Sequence, residues 1–483
     1  MKNKALIIAM LGMLPLFTFA QLPFDALRFS MTGPGGTARY LATAGAFGAI
    51  GADFSTLSAN PAGIGLFRTT EFTLTPGLTY NSATANYGGM LTEDDKYKLN
   101  MHNAGVVFAF GNRSVKNGSW KRFQFGFGMN QLADFSGNTT IEGDNPYGSI
   151  LMEYQKKAAG IAPKNLDLYD TKLAWDTYLF PDTFSGSNGM IQYTSAIPNG
   201  GVRQMKYIER KGGMNEVVLS LGGNYNDRIY LGGTIGFPTL HYREDASYRE
   251  VDAGDTIATF KSLTINDYLN TSGSGINFKF GIIARPFDWI RIGGAIHTPT
   301  FFSLHDEYSR SMKHRNDVGQ ELFASSPTGY YDYSLRTPMK AIVSLGFIIG
   351  KFGFIGIDYE AVDYSAARFE TKNDHFTDVN RVIREDYHEA SNLRIGGELN
   401  LNPIRLRAGY ALYGSPYTNG LNDFEKSTLA FGLGFKDKNY FLDFSWVMTS
   451  YGENYYLYDP EMVLPAQIDN MSTGMIMTLG FKL

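Results

Sequence analysis

The chain has 483 residues, with 43 Lys and Arg against 47 Asp and Glu, a balance that excludes the basic surface a nucleic-acid-binding protein needs. It has no cysteine, which removes disulfides and thiolate metal or redox sites. A mean hydropathy of −0.19 excludes a helical membrane bundle, whereas 54 Gly, 30 Tyr and 35 Phe in a chain that is polar on average suit strands alternating between two environments.

Residues 1–20 read as a cleavable secretory signal: Lys2 and Lys4, an uncharged stretch from Ala5 to Phe19, and Thr18-Phe19-Ala20 before Gln21. The apolar run is short for a membrane span. A mature chain beginning at Gln21 keeps 41 basic and 47 acidic residues. Next comes a segment, 21–68, that is small, apolar and rich in turns: "GTARYLATAGAFGAIGADFSTLSANPAGIG". A linker or periplasmic tail tends to be more polar than this.

From residue 69 the pattern becomes strict alternation. Leu393, Ile395, Leu399 and Leu401 share a face opposite Arg394 and Glu398. Ile404, Leu406, Ala408 and Tyr410 oppose Arg405 and Arg407. Leu442, Phe444, Trp446 and Met448 oppose Asp443, and Ile276, Phe278, Phe280 and Ile282 oppose Lys279. In each run every charge falls on the second face, as lipid exposure of the first demands.

About fourteen such runs follow one another, near 69–83, 99–112, 120–135, 215–226, 228–250, 274–286, 288–311, 332–350, 352–371, 387–402, 403–415, 426–437, 439–452 and 470–483. Long gaps follow the odd runs, the longest at 136–214. Short gaps follow the even ones: 113–119, Asn226-Asp227, Pro286-Phe287, Gly350-Lys351, Asn402-Pro403 and Asp437-Lys438. An even number of strands with short turns on one rim and long loops on the other is the outer-membrane pattern. The expected fold is therefore all-β, a 14-stranded antiparallel transmembrane barrel over 69–483, with long loops outside, short turns and both termini in the periplasm, and outer-membrane lipid around it. Trp120 and Trp289 by short turns, and Tyr330, Tyr331, Tyr333, Tyr451, Tyr455 and Tyr456 by long loops, are placed as aromatic girdles. A lumen of this width is too large for wall side chains to fill, so 21–68 is expected to sit inside it as a plug.

The stretch "ARYLATAGAFGAIGADFSTLSANPAGIGLF" resembles the hatch of the FadL family of outer-membrane transporters for long-chain fatty acids and other hydrophobic compounds, to which toluene-uptake channels belong. The matching positions are Asp53, Asn60, Pro61, Ala62 and Gly63, and "SLRTPMKAIVSLGF" (334–347) is similar to that family's Thr-Pro strand opening. The final strand, "STGMIMTLGFKL", looks like the signal read by the barrel assembly machinery, although Phe481 stands two residues before the end. The resemblance implies uptake without covalent chemistry. A hydrophobic small molecule (fatty acid, aromatic hydrocarbon or other lipid) binds in the lumen of a monomer. Movement of an N-terminal gate, Gln21, Leu22, Pro23 and Phe24, then shifts the hatch, and the ligand leaves through a kinked wall strand.

For that kink the residues offer Gly126 and Gly128, inward positions on the third strand, where the same glycines could equally clear the plug. Inward Arg394, Arg405, Arg407, Lys279 and Arg291 are candidates for ligand carboxylates; most such charges are expected to pair with one another or with the plug. Catalysis is not expected: His305 and Asp306 are adjacent on a strand and point to opposite faces. The histidines show no ligand spacing, so neither metal nor cofactor is expected. In the longest loop, Ile150, Leu151, Tyr154 and Ala158 recur at helical spacing. The alternative function is a FadL-like barrel serving a secretion system as a protein-binding shuttle, which needs binding loops and no apolar tunnel.

Overall fold

The structure is a computed structural model that describes residues 23–33, 35–111, 120–187, 189–371, 376–418, 422 and 424–483. The signal segment, Gln21, Leu22 and the turn 113–119 lie outside the described residues. The described N-terminal segment holds three short helices, α1 (Pro23–Ser30), α2 (Ala38–Leu41) and α3 (Thr56–Ala59), and a 3-10 turn, Pro61–Leu66.

Fourteen strands then run up and down: β1 (Glu71–Tyr87), β2 (Met90–Gly111), β3 (Trp120–Asp134), β4 (Val202–Tyr225), β5 (Ile229–Val251), β6 (Ser262–Phe287), β7 (Ile290–His297 and Phe301–Arg315), β8 (Gly329–Arg336 and Lys340–Ile349), β9 (Gly353–Asp363), β10 (Glu389–Leu401), β11 (Ile404–Tyr413), β12 (Lys426–Lys436), β13 (Tyr440–Tyr455) and β14 (Ala466–Lys482). Each pairs antiparallel with the next, and β14 returns to β1 in a register running from Glu71↔Lys482 to Asn86↔Gln467. The sheet is closed, so no edge is left in the membrane. The two interrupted strands lie side by side. Pro299 and Pro338 cannot donate to a ladder, and the gap is bridged instead by Thr300 N to Thr337 Oγ1 at 2.9 Å and Thr337 N to Thr300 O at 3.0 Å.

The two faces separate as the alternation requires. Phe278, Ile282, Leu393, Leu399, Leu406, Phe444 and Met475 are exposed on the outer surface, while Lys279, Arg394, Glu398, Arg407 and Asp443 are buried within. Three readings change. Residues 84–98 form no loop; they prolong β1 and β2 into a hairpin closed by Gly88-Gly89, both at positive φ, which only glycine adopts freely. Within 136–214, residues 202–214 belong to β4, where Val202–Arg210 pairs with an accessory strand, Gly137–Asn145. The girdle assignment fails for most of the long-loop tyrosines. Tyr333 is buried against Asp306 inside, and Tyr331, two residues before it and so on the same face, packs beside it, while Tyr330, of the opposite parity, points outward. Tyr80 and Tyr97 are register partners between β1 and β2, with ring centroids 4.7 Å apart and planes tilted by 42°.

Above the apolar band the long loop is ordered by helix α4 (Ile150–Ala158), whose Ile150, Leu151, Tyr154 and Ala158 form the buried face that their spacing indicated. Its first turn is held by the wall: Glu250 of β5 accepts from Ile150 N at 2.9 Å and from Ser149 Oγ at 2.5 Å. An acidic group at a helix start satisfies N–H groups that otherwise lack partners.

The lipid face yields a direct test. Leu406→Arg or Phe444→Arg introduces a charge worth about 2–4 kcal/mol of destabilisation at mid-bilayer depth. Both variants are expected to lower the heat-modifiable, folded fraction in outer-membrane preparations, whereas Ser427→Arg, near the loop end of the same outer face, leaves it unchanged.

Candidate functional site

Within the ring the N-terminal segment is built around the residues singled out above. Thr37 caps α2 by accepting from Tyr40 N and donates its hydroxyl to Asp53 at 2.8 Å, and Asp53 also accepts from Ser55 N at 3.0 Å. Asp53 thus ties two turns of the segment together. Asn60 precedes the 3-10 turn and caps it, its Oδ1 accepting from Ala62 N at 3.1 Å. Its Nδ2 donates to Gly48 O at 2.6 Å and to Ile282 O of β6 at 3.3 Å. Pro61 occupies the first position of the turn, where its missing N–H costs nothing. Gly63 O receives Ala52 N at 3.0 Å, and a Cβ on Gly63 would lie 2.4 Å from Thr56 Oγ1. Asp53, Asn60, Pro61, Ala62 and Gly63 therefore form one hydrogen-bonded unit. Pro23 and Phe24 stand at the start of α1.

The wall meets this unit with glycine. An added Cβ would come within 2.2 Å of Phe54 at Gly105 (β2), 2.2 Å of Ile64 at Gly222 (β4), 2.1 Å of Pro61 O at Gly232 (β5), 1.9 Å of Asn60 Oδ1 at Gly281 (β6), 2.2 Å of Ala46 O at Gly356 (β9) and 2.3 Å of Thr43 O at Gly396 (β10). The same holds for a glycine on each of the other strands between β2 and β12. Gly126 belongs to this belt: its Cβ would lie 2.5 Å from Leu57. The ladders pass Gly126 and Gly128 without a register shift, while the irregularities of β3 lie at Trp120/Arg122 and Gln131/Ala133.

Three wall carboxylates hold the segment by its own polar groups. Asp358 accepts from Phe47 N at 3.2 Å and Gly48 N at 3.0 Å; Glu216 accepts from Ser58 Oγ at 2.8 Å; Glu398 accepts from Arg39 Nε at 3.0 Å. The lumenal cations proposed for a ligand carboxylate are engaged in the same way. Arg394 pairs with Glu360 at 2.8 Å, Lys279 with Glu216, and Arg407 with Glu398 and Asp443, both at 2.7 Å. Arg291 donates to Ile50 O, and Arg405 reaches Glu398 at 3.4 Å. The His305–Asp306 pair is divided as expected: His305 bonds Asp332 at 2.7 Å on the outer face, while Asp306 accepts from Thr271 at 2.7 Å inside.

Between α1 and the upper wall lies a cavity of about 380 Å³. Phe24, Met31, Leu132, Phe135, Val447 and Ile476 give it an apolar lining, and Arg28, His102, Arg210 and Lys426 stand around it. Arg28 is paired with Asp25 at 2.6 Å and lies over Tyr242, and Arg210 is paired with Glu244 at 3.0 Å. Lys426 has no carboxylate within ion-pair distance among the described residues; its ammonium lies 5.1 Å from the Tyr413 ring. These four cavity residues escaped the sequence reading, since nothing in their local spacing marks them. No group of three or more metal-ligating side chains is present among the described residues.

The architecture is that of a membrane-spanning β-barrel whose lumen carries an N-terminal segment. No protein-family model and no curated protein sequence matches the chain. Among solved structures it is similar to a FadL homologue of Pseudomonas aeruginosa, with a TM-score of 0.57 and 12% identity over 94% of this chain and 99% of that one. It is similar also to the P. putida toluene transporter TodX, with a TM-score of 0.54, 9% identity and coverage of 93% and 99%. For the Ralstonia pickettii toluene transporter TbuX the values are 0.51, 13%, 93% and 99%. The chain is an outer-membrane β-barrel with the FadL-type fold.

The glycine belt can be tested at one residue. In Gly232→Val the new side chain meets Pro61 O, whereas a Cβ on Gly233, on the lipid side, finds nothing nearer than 3.7 Å. Overpacking of this kind costs about 1–3 kcal/mol. Gly232→Val is expected to raise planar-bilayer conductance and protease access to the segment, with Gly233→Val matching wild type; equal conductance in all three removes the belt's role in seating the segment.

Proposed function

We propose that the protein takes up hydrophobic small molecules across the outer membrane by binding them in the lumen and shifting the N-terminal segment as a hatch. The observation that carries this reading is the cavity of about 380 Å³, mainly apolar in its lining surface although Asp134 and Glu453 are among its polar residues, and walled on one side by α1. Its volume lies in the range of sites for small organic ligands. A ligand seated there touches Phe24 and Met31, so its binding energy acts on the first helix of the segment. Long-chain fatty acids and aromatic hydrocarbons both suit the lining, and an anionic head group would meet Lys426. The toluene transporters with the same fold support the substrate class. Exit through the wall, with Gln21 to Phe24 as the gate, completes the scheme. The outer connections within 136–214, 312–331 and 453–469, beyond the strand ends they include, face outward in this arrangement, and both termini face the periplasm. The chain acts as a monomer assembled by the barrel machinery, without a cofactor.

The test fills the cavity. Ile476→Trp is expected to lower uptake of a labelled hydrophobic probe about tenfold, the effect of roughly 1.4 kcal/mol lost from binding. Met475→Trp, one residue away on the lipid face, should not lower it. Unchanged uptake in Ile476→Trp, together with capture of a secreted protein by the loops, favours the shuttle.

Orientation has its own readout. Epitope tags at 312–331 or 453–469 are expected to be labelled on intact cells, and tags at Asp437-Lys438 only after the outer membrane is opened. Labelling of Asp437-Lys438 on intact cells reverses the topology.

A further inference from the structure

A second cavity, of about 260 Å³, lies at the end of the barrel that carries the short turns, on the far side of the segment from the first. It opens between the segment and the ends of β1, β11, β12, β13 and β14. Six cations line it, Arg39, Arg68, Arg405, Arg407, Lys436 and Lys482, against three carboxylates, Asp53, Glu71 and Asp443.

The carboxylates are already used. Asp53 accepts from Thr37 and Ser55; Asp443 takes Arg407 at 2.7 Å; Glu71 takes Lys482 at 3.3 Å. Glu398, just beyond the lining, is shared by Arg39, Arg407 and Arg405. Arg68 and Lys436 are left with no carboxylate within ion-pair distance among the described residues, and Lys436 and Lys482 line the same mouth. Arg405 Nε is buried with no hydrogen-bond partner. Like charges gathered in one mouth repel, the more so where water is scarce. An arginine N–H without an acceptor carries a desolvation cost of its own. One negatively charged group in the cavity offsets the repulsion. Guanidinium offers paired donors to an oxyanion and ammonium a compact point charge, and this mouth holds both.

We propose that this cavity binds a phosphate group, either free or as the head of a phospholipid at the inner face of the membrane. The site is separate from the hydrophobic cavity and stands or falls independently of the uptake reading.

The experiment is calorimetric titration of the purified protein in dodecyl maltoside with two probes, inorganic phosphate and dihexanoyl phosphatidic acid. Saturable binding of at least one is expected. Lys436→Gln/Lys482→Gln should weaken it about tenfold or more, the loss of a charge-assisted hydrogen bond. Lys436→Arg should retain it, as should Lys351→Gln, a neighbour on the same rim outside the cavity. Tighter binding of the lipid assigns the site to a head group, and tighter binding of inorganic phosphate to the free ion. Heat-modifiable migration checks folding, and Lys436→Gln alone carries the comparison if the double variant does not assemble. Absence of saturable binding with both probes overturns the proposal. So does equal binding in the glutamine variants, or a loss in Lys351→Gln as large as theirs.

Discussion

Closure of the sheet is the constraint from which the rest of the molecule follows. In hydrocarbon a backbone N–H or C=O has no water to turn to, so the first strand must find the last. Here Glu71 faces Lys482 and Asn86 faces Gln467, and the ends of the barrel sequence become neighbours. Once closed, the wall has only two environments, and each residue takes one or the other by parity. Fourteen strands also fix a circumference that wall side chains cannot span. The N-terminal segment answers that width with small residues and a backbone that comes close to the wall. Glycine on strand after strand is the corresponding answer from the wall, because a single Cβ at Gly281 or Gly232 would collide with Asn60 or Pro61.

Much of this is legible in the sequence where the signal is local. Strand number and facing come from the alternation, since a charge such as Arg394 or Asp443 announces the inner side by its parity alone. The helix at Ile150–Ala158 comes from spacing in the same way. What escapes is what depends on distant partners. The prolonged β1–β2 hairpin escapes because above the bilayer the lipid no longer enforces an apolar face, and alternation fades while pairing continues. The tyrosines at 331 and 333 escape because a cluster of aromatics gives a neighbourhood but not a direction. Gly126 reads from its own strand alone equally as a bend or as clearance for the plug; Leu57, against which its Cβ would collide, stands 69 positions earlier in the chain. The charged lumen is legible as a set, but its pairings follow from barrel register: Glu398 and Arg407 are direct cross-strand neighbours, and Arg394 reaches Glu360, two residues along from its register partner Asp358, which no local spacing reveals.

The same register explains how wall and segment come to have different strengths. The wall is held by backbone ladders that close on themselves and by lipid-facing burial. The segment is held to it mostly through side chains: Asp358 to Phe47 and Gly48, Asn60 to Ile282, Glu216 to Ser58, and Thr478 to Ala38. Local opening is drawn from such weaker sets of contacts, while the most heavily bonded elements open last. In the proposed uptake scheme, a ligand pressing on α1 would act on bonds that can be exchanged without unzipping a strand. The compensated charges matter in this light as well. Arg39 leaving Glu398 still leaves that carboxylate with Arg407, and Ser58 leaving Glu216 still leaves it with Lys279. Neither departure strands an unpaired carboxylate on the wall, which is the condition for a segment that can move and return.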